Sequence, residues 1–240
     1  MQSFTIKLLR RETVADRTTA VHFEKPEGFQ FKAGQTLDLT LIDPPETDGE
    51  GNTRTFSIAS APQESYFFIA TRIRASAFKR VLSAVALGTS VQMEGPMGSF
   101  TLHNNRVKPA VFLAGGIGIT PFRSMIVDAA ERKIEQQLWL FYSNKRPEDT
   151  AFLAELRRLA DTRQSFHYVP TMTDMEHSAR VWHGESAFID GNMLSRHIPD
   201  IRGPIYYLAG PPAMVTALRD VLLKAGVDED DIRAEEFAGY

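Results

Sequence analysis

The stretch Ala110-Val-Phe-Leu-Ala-Gly-Gly-Ile-Gly-Ile-Thr-Pro121 decides the fold of this chain. Its apolar run predicts a strand buried on both faces, the mark of a parallel sheet covered by helices. Gly115, Gly116 and Gly118 then let the backbone turn tightly and approach a ligand closely, and Pro121 suits the first turn of a helix over 121–132. A helix N-terminus placed there offers free N–H groups and a positive dipole end to a phosphate. The spacing departs from GxGxxG, and a strand-to-helix turn without a ligand uses the same residues.

Toward the C-terminus, apolar runs keep alternating with amphipathic stretches. Strands are predicted over 138–142, 166–170, 205–209 and 232–237, and helices over 148–160 and 212–224; this is βαβ patterning. A second turn, Ala209-Gly-Pro-Pro-Ala-Met214, again follows a strand and precedes a helix. Both turns fall at the carboxyl edge of one parallel sheet, where open α/β sheets bind ligands. The pair points to a nucleotide more firmly than either turn alone.

Toward the N-terminus the period changes to two. Strands over 4–9, 19–23, 36–42, 54–59, 66–73 and 90–94, a helix over 77–86 and a polar loop over 43–52 predict a six-stranded antiparallel β-barrel with one helix. The pattern switches near 103–108. Residues 1–105 are therefore read as the barrel domain and 106–240 as a parallel-sheet α/β domain.

Composition excludes several classes. Lys and Arg number 27 against 30 Asp and Glu, a net charge of −3 with no basic block, which argues against nucleic acid. The absence of cysteine removes disulfides, thiolate zinc sites, cysteine nucleophiles and cysteine-bound iron–sulfur clusters. The six histidines never fall at HxH or HExxH spacing, so no metal site is expected. No apolar run approaches the ~18 residues of a membrane span, and the first residues lack a signal-peptide pattern. The expected location is the cytoplasm, with no membrane partner. Gly184-Glu-Ser-Ala-Phe188 lacks the second glycine of a nucleophile elbow and carries no hydrolase.

In the barrel, Arg54-Thr-Phe-Ser57 sets Arg54 and Phe56 on one strand face and Thr55 and Ser57 on the other. A guanidinium there suits a pyrophosphate. Taken with Glu94-Gly-Pro-Met-Gly-Ser-Phe100, the two glycine turns and Glu235-Glu-Phe237, this element resembles the ferredoxin–NADP(+) reductase superfamily over nearly the whole chain. The resemblance implies an FAD-binding barrel followed by a nicotinamide-nucleotide domain. By it, Arg54 holds the FAD pyrophosphate within the motif Arg54, Thr55, Phe56 and Ser57, Phe56 stacks where the family has Tyr, and Ser57 sits beside flavin N5. Thr71, Arg72 and Ile73 match the strand along the ribityl side. Ser76, Ala77, Phe78 and Lys79 match the phosphate-binding helix start, without its usual glycine.

Gly115, Gly116, Gly118 and Thr120 match the dinucleotide loop, with Thr120 near both cofactors, and Gly210, Pro211 and Met214 match the second turn. Ala209 stands where the family commonly has Cys. Glu235 takes the role of the carboxylate near Ser57, these two being the catalytic candidates, and Phe237 or Tyr240 covers the flavin. Ser143, Lys145 and Arg146 offer a hydroxyl and two cations to a 2′-phosphate, with NADPH and NADH both open as hydride donor. The implied activity is an FAD-dependent oxidoreductase that takes hydride from NAD(P)H and passes electrons to a separate ferredoxin-type iron–sulfur protein. The alternatives are a reductase of free flavin or ferric chelates, and a non-autonomous FAD-binding electron-transfer subunit.

Overall fold

The period-two half folds into one six-stranded antiparallel sheet. Its strands are β1 (Gln2–Ala15), β2 (Thr18–Phe23), β3 (Thr36–Leu41), β4 (Thr53–Ser57), β5 (Phe67–Arg72) and β6 (Ser90–Met97), in the order β4-β3-β6-β1-β2-β5. The two edges meet where Ala59 N and Ser60 N donate to the Phe68 carbonyl at 2.9 and 3.4 Å, which closes the barrel. Alternation does what its period requires: Leu37, Leu39 and Leu41 of β3 point inward with Phe23, Phe67, Val91 and Met93. The computed structural model describes residues 2–74 and 76–237, so Tyr240 lies outside the described residues.

The single helix of this half, α1 (Ala77–Ala84), buries Ala77, Phe78, Val81 and Leu82 as one stripe over the barrel. Ser76 caps it, accepting from Lys79 N at 3.3 Å. Arg11 of β1 reaches the far end and donates to the carbonyls of Leu82 (3.0 Å) and Val85 (2.5 Å).

The second half is a five-stranded parallel sheet, β7 (Ala110–Gly115), β8 (Leu138–Asn144), β9 (Phe166–Met172), β10 (Ile205–Gly210) and β11 (Ile232–Glu236), in the order β11-β10-β7-β8-β9. β7 and β10 are buried throughout. Alternate β7 residues face opposite sides: Phe112 and Ala114 pack with Phe122 and Met125 of α2 (Ile119–Glu131), and Val111 and Leu113 pack with Val215 and Leu218 of α5 (Pro212–Lys224). The chain runs outward from β7 to β8 and β9, then returns to β7's other side as β10. This places the topological switch point between β7 and β10.

Three elements differ from the sequence reading. The helix expected over 148–160 is a 3-10 turn at Pro147–Asp149 followed by α3 (Leu153–Thr162), because Phe152 adopts φ +60° at its start. Glu148 is drawn off instead to Ser178 Oγ and Ala179 N. Between them and β10 lies α4 (Gly191–His197), capped by Asp190 and absent from the sequence reading. β1 extends to Ala15, well past the expected 4–9; a register shift between Leu8 and Arg10 lets its first part pair with β6 and its second with β2. Among the described residues no helix is long and apolar enough to cross a membrane.

Candidate functional site

The two glycine turns leave the sheet side by side, Ala114 of β7 lying opposite Ala209 of β10. They pack so tightly that a Cβ on Gly118 would collide with the Ala209 carbonyl, and one on Gly210 would lie 3.1 Å from Gly115 N. Gly116 takes φ +51°, and its carbonyl accepts the Tyr142 hydroxyl at 2.9 Å. A cleft of about 950 Å³ opens over these turns. Gly115, Gly116, Ser143, Lys145, Arg146, Pro211 and Met214 line it from the sheet side, and Arg72, Ile73 and Arg74 from the end of β5. Gly118 does not line the cleft; it is the contact that brings the two turns together.

Thr120 and Arg146 are placed differently from expectation. Thr120 is buried, and its hydroxyl donates to the Ile117 carbonyl at 3.1 Å. Arg146 lines the cleft but is held by Asp149 at 2.9 and 3.0 Å and by Asp16 at 3.5 Å, so among the described residues Lys145 is the cation of this segment not engaged by a carboxylate. Residues that the sequence did not single out also line it, among them Arg17, Asn144, Asp174, His177 and Phe188. Asn144 is buried with both amide atoms unpartnered. Phe188 is 77 % exposed; only the folded loop shows that an exposed ring stands over a cleft.

The barrel rim is organised around charge. Ser57 is buried and its Oγ has no partner. Arg54 pairs with Glu50 at 2.7 Å and Asp48 at 3.3 Å. Asp48 also accepts from Ala77 N, at the start of α1, at 2.8 Å. That N–H bond, foremost, holds the Asp48 carboxyl below its usual range. Half-burial, then Arg74 and Arg54, push the Lys79 ammonium down, as expected where cations converge.

The remaining rim residues divide. Phe56 is half-buried with its ring 5.8 Å from Phe78, and Phe78 itself is barrel core beneath the Arg54 guanidinium. Thr55 is exposed on the same strand face as the buried Ser57, and its hydroxyl donates to Asp38 at 2.5 Å. Thr71 is buried. Arg72 donates to the Asp149 carbonyl at 3.4 Å and leaves its buried Nε unpartnered.

At the other edge, Glu235 lies opposite Ala209. Burial pushes its carboxyl up to about 7, and no hydrogen bond joins it to Ser57. Phe237 is tied to the second turn by its N–H, 3.0 Å from the Gly210 carbonyl, and packs half-buried against the α2 side of the sheet.

Known proteins share this arrangement. The family model of the oxidoreductase NAD-binding domain matches residues 112–220. The reductase component of propane 2-monooxygenase from Rhodococcus jostii (strain RHA1) is 30% identical over 220 residues, covering 89% of this chain and 57% of that protein. The chain thus spans little more than half the length of that relative. Ferredoxin–NADP reductase B of Sorangium cellulosum (strain So ce56) is 27% identical over 246 residues, 98% of each chain. The crystal structure of a ferredoxin NADP+ reductase from Neisseria gonorrhoeae with bound FAD and NADP superposes with a TM-score of 0.80 at 21% identity, covering 98% of this chain and 99% of that one. With its barrel, glycine turns and parallel sheet in the same order, the chain shares the fold of that ferredoxin NADP+ reductase and resembles these reductases in sequence.

Proposed function

We propose that this chain is an FAD-dependent oxidoreductase that takes hydride from NAD(P)H and passes electrons to a separate acceptor protein. One observation carries the reading. A cleft is walled on one side by two interlocked glycine turns at a sheet switch point and on the other by the arginine-bearing end of a barrel strand. Such a cleft suits a dinucleotide whose diphosphate needs close backbone approach and cationic flanks.

The residues present fit a flavin nucleotide. Ser57 Oγ is a buried hydrogen-bonding atom with nothing to bond, an expense proteins rarely tolerate without a ligand or water. Arg54 and the first N–H of α1 converge where the chain's own Asp48 carboxylate now sits, and Lys79 lies near enough to Arg54, Arg74 and Glu50 to feel their charges. A carboxylate there is a smaller stand-in for phosphate oxygens. Arg54, Lys79 and the Ser76-capped helix start would hold the FAD diphosphate, with Thr71, Arg72 and Ile73 beside it. Ser57 would hydrogen-bond the ring, and Phe237 would cover it. Gly115, Gly116, Gly210, Pro211 and Met214 would cradle the nicotinamide nucleotide, with Ser143 and Lys145 at its adenosine end. When bound, FAD supplies hydride uptake and one-electron release, which no side chain performs. Glu235, half-buried with its carboxyl raised to about 7, would hold or release a proton near neutral pH beside Ala209.

The acceptor is read as a ferredoxin-type iron–sulfur protein. These 240 residues contain no cysteine to bind a cluster, and the propane 2-monooxygenase relative is a reductase component by name. Arg74, exposed just past β5, would help steer an acidic partner, whereas Arg72 and Lys79 are assigned to the flavin phosphates and Arg80 is paired with Glu46 at 2.9 Å. A second reading, reduction of free flavin or ferric chelates, is favoured by Asp48 and Glu50, which compete with phosphate for Arg54 and make a loosely held flavin.

An absorbance spectrum after reconstitution with FAD, followed by anaerobic titration with NADPH and NADH, tests the proposal. Flavin bands that bleach on titration are expected. A colourless protein that takes up no FAD defeats it. Faster turnover with added ferredoxin than with added FMN selects the first reading over the second.

A further inference from the structure

Arg123 lies one turn beyond Thr120 on α2, only 5% exposed, with no part in the cleft. Its guanidinium donates to the Ala59 carbonyl at 2.8 Å, to both Glu64 carboxylate oxygens at 3.0 and 3.3 Å, and to both Glu155 oxygens at 2.9 and 2.6 Å. Its planar face lies over Phe68 and Phe152, 4.6 and 5.4 Å from their centroids. The next residue adds a second tie, Ser124 Oγ donating to the Ser60 carbonyl at 2.6 Å. Glu64 in turn accepts from Ala61 N at 2.6 Å. Every barrel group in this cluster belongs to β5 or to residues 59–64, the segment immediately after Ser57.

The two ends of the cluster are the two halves of the reaction. Residues 59 and 60 continue the strand that places Ser57, and α2 continues the loop of Gly115, Gly116 and Gly118. Burial opposes the charge on Arg123, but the hydrogen bonds to Glu64 and Glu155 more than offset it, so the guanidinium stays ionised. A charge buried this deeply against two carboxylates and two rings permits few alternative geometries. A tether needing only domain adhesion has no use for a guanidinium that directs three bonds into the barrel segment and is itself locked by two more to Glu155 of α3. One that fixes the separation of two reacting groups does, since a displacement of about 1 Å can cost on the order of a hundredfold in rate.

We propose that Arg123, with Ser124, is the positioning residue for hydride transfer, setting the distance between the flavin seated on the Ser57 strand and the nicotinamide seated on the Gly115–Gly118 loop. The inference rests on the proposed function above. It assigns Arg123 no contact with either cofactor.

The test uses FAD-reconstituted full chain with Arg123→Lys, Arg123→Met and Ser124→Ala. Flavin affinity is expected to stay within about threefold of wild type. Flavin reduction at saturating NAD(P)H is expected to fall roughly 10- to 100-fold in both Arg123 variants and severalfold in Ser124→Ala, as a displaced reactant pair requires. KM should shift less than the reduction rate, and the long-wavelength charge-transfer absorbance of the flavin–nicotinamide pair should weaken in the same order. Lysine keeps the charge but lacks the planar fork, so Arg123→Lys should recover thermal stability relative to Arg123→Met without recovering the rate. If the Arg123 variants do not fold, Ser124→Ala decides, because it removes one hydroxyl. Reduction rates within twofold of wild type per bound flavin, with the charge-transfer band intact, overturn the inference. So does a rate loss matched by loss of flavin and of stability, which is a structural role alone. A wild-type chain that takes up no FAD overturns the proposed function and this inference with it.

Discussion

The barrel rim and the sheet edge use carboxylates in opposite ways. At the rim, Asp48 is solvated, bonded to a helix N–H and paired with Arg54, and its carboxyl is held below the ordinary range. At the edge, Glu235 has no hydrogen-bond partner among the described residues, and burial raises it to about 7. The rim site is closed by the chain's own charges; beside the edge, the two glycine turns floor an open cleft whose other walls are side chains. Binding at the rim must therefore displace something, whereas binding at the edge fills prepared space.

The comparison breaks most visibly at Gly118. Alanine there forces the two turns apart at the Ala209 carbonyl, and we expect about 3 kcal/mol of destabilisation, the upper range for overpacking, read from urea unfolding. Gly115→Ala meets mainly the flexible Met214 thioether and should cost clearly less while weakening NAD(P)H binding. Equal losses from the two substitutions would show that the turns are not interlocked.

The rim makes a prediction of paired sign. Arg54→Gln should weaken FAD binding by about 2 kcal/mol, the loss of a charge-assisted bond, or roughly thirtyfold. Asp48→Asn, which removes the competing charge, should tighten it severalfold, despite some loss of helix capping. Fluorescence titration reads both. An Asp48→Asn that binds FAD more weakly than wild type makes Asp48 a support of the site and not its occupant.

Glu235 gives the pH prediction. Its folded pKa, about 7, lies above the value of 4.5 for a free Glu side chain. The folded chain thus holds this proton more tightly, and the associated stability is complete below about pH 4.5 and lost as pH rises through 7. Melting curves of wild type should fall relative to Glu235→Gln over that window, and the flavin-reduction rate should inflect near pH 7 in wild type alone. Parallel pH profiles would place the Glu235 carboxyl in water. The smallest effect is expected at Lys145: alanine there should raise KM for NADPH a fewfold more than for NADH, because Arg146 is already committed to Asp149.

Much of this was legible in the residues. Alternation in β3 and the unbroken apolar runs of β7 and β10 follow directly from which faces are buried, and the glycine turns sit where the strand and helix signals put them. The site was legible in its types more than its geometry. Arg146 reads as a phosphate ligand until the fold brings Asp149 and Asp16 to it. Phe78 sits next to a capping Ser and reads as part of the site until the helix stripe turns it into the core. Arg123 had no signal at all, since an arginine within an apolar helix segment announces neither its burial nor Glu64 and Glu155.

Local order, then, came from the sequence alone: where the period is two and where the strands are continuous, where glycines open a turn, and that no cysteine is present to hold a cluster. Tertiary structure decided which charges are spent on one another, because a guanidinium binds whichever carboxylate folding carries to within about 3 Å. That proximity is a property of three dimensions, so the occupied Arg54, the committed Arg146 and the buried Arg123 became distinguishable only in the folded chain.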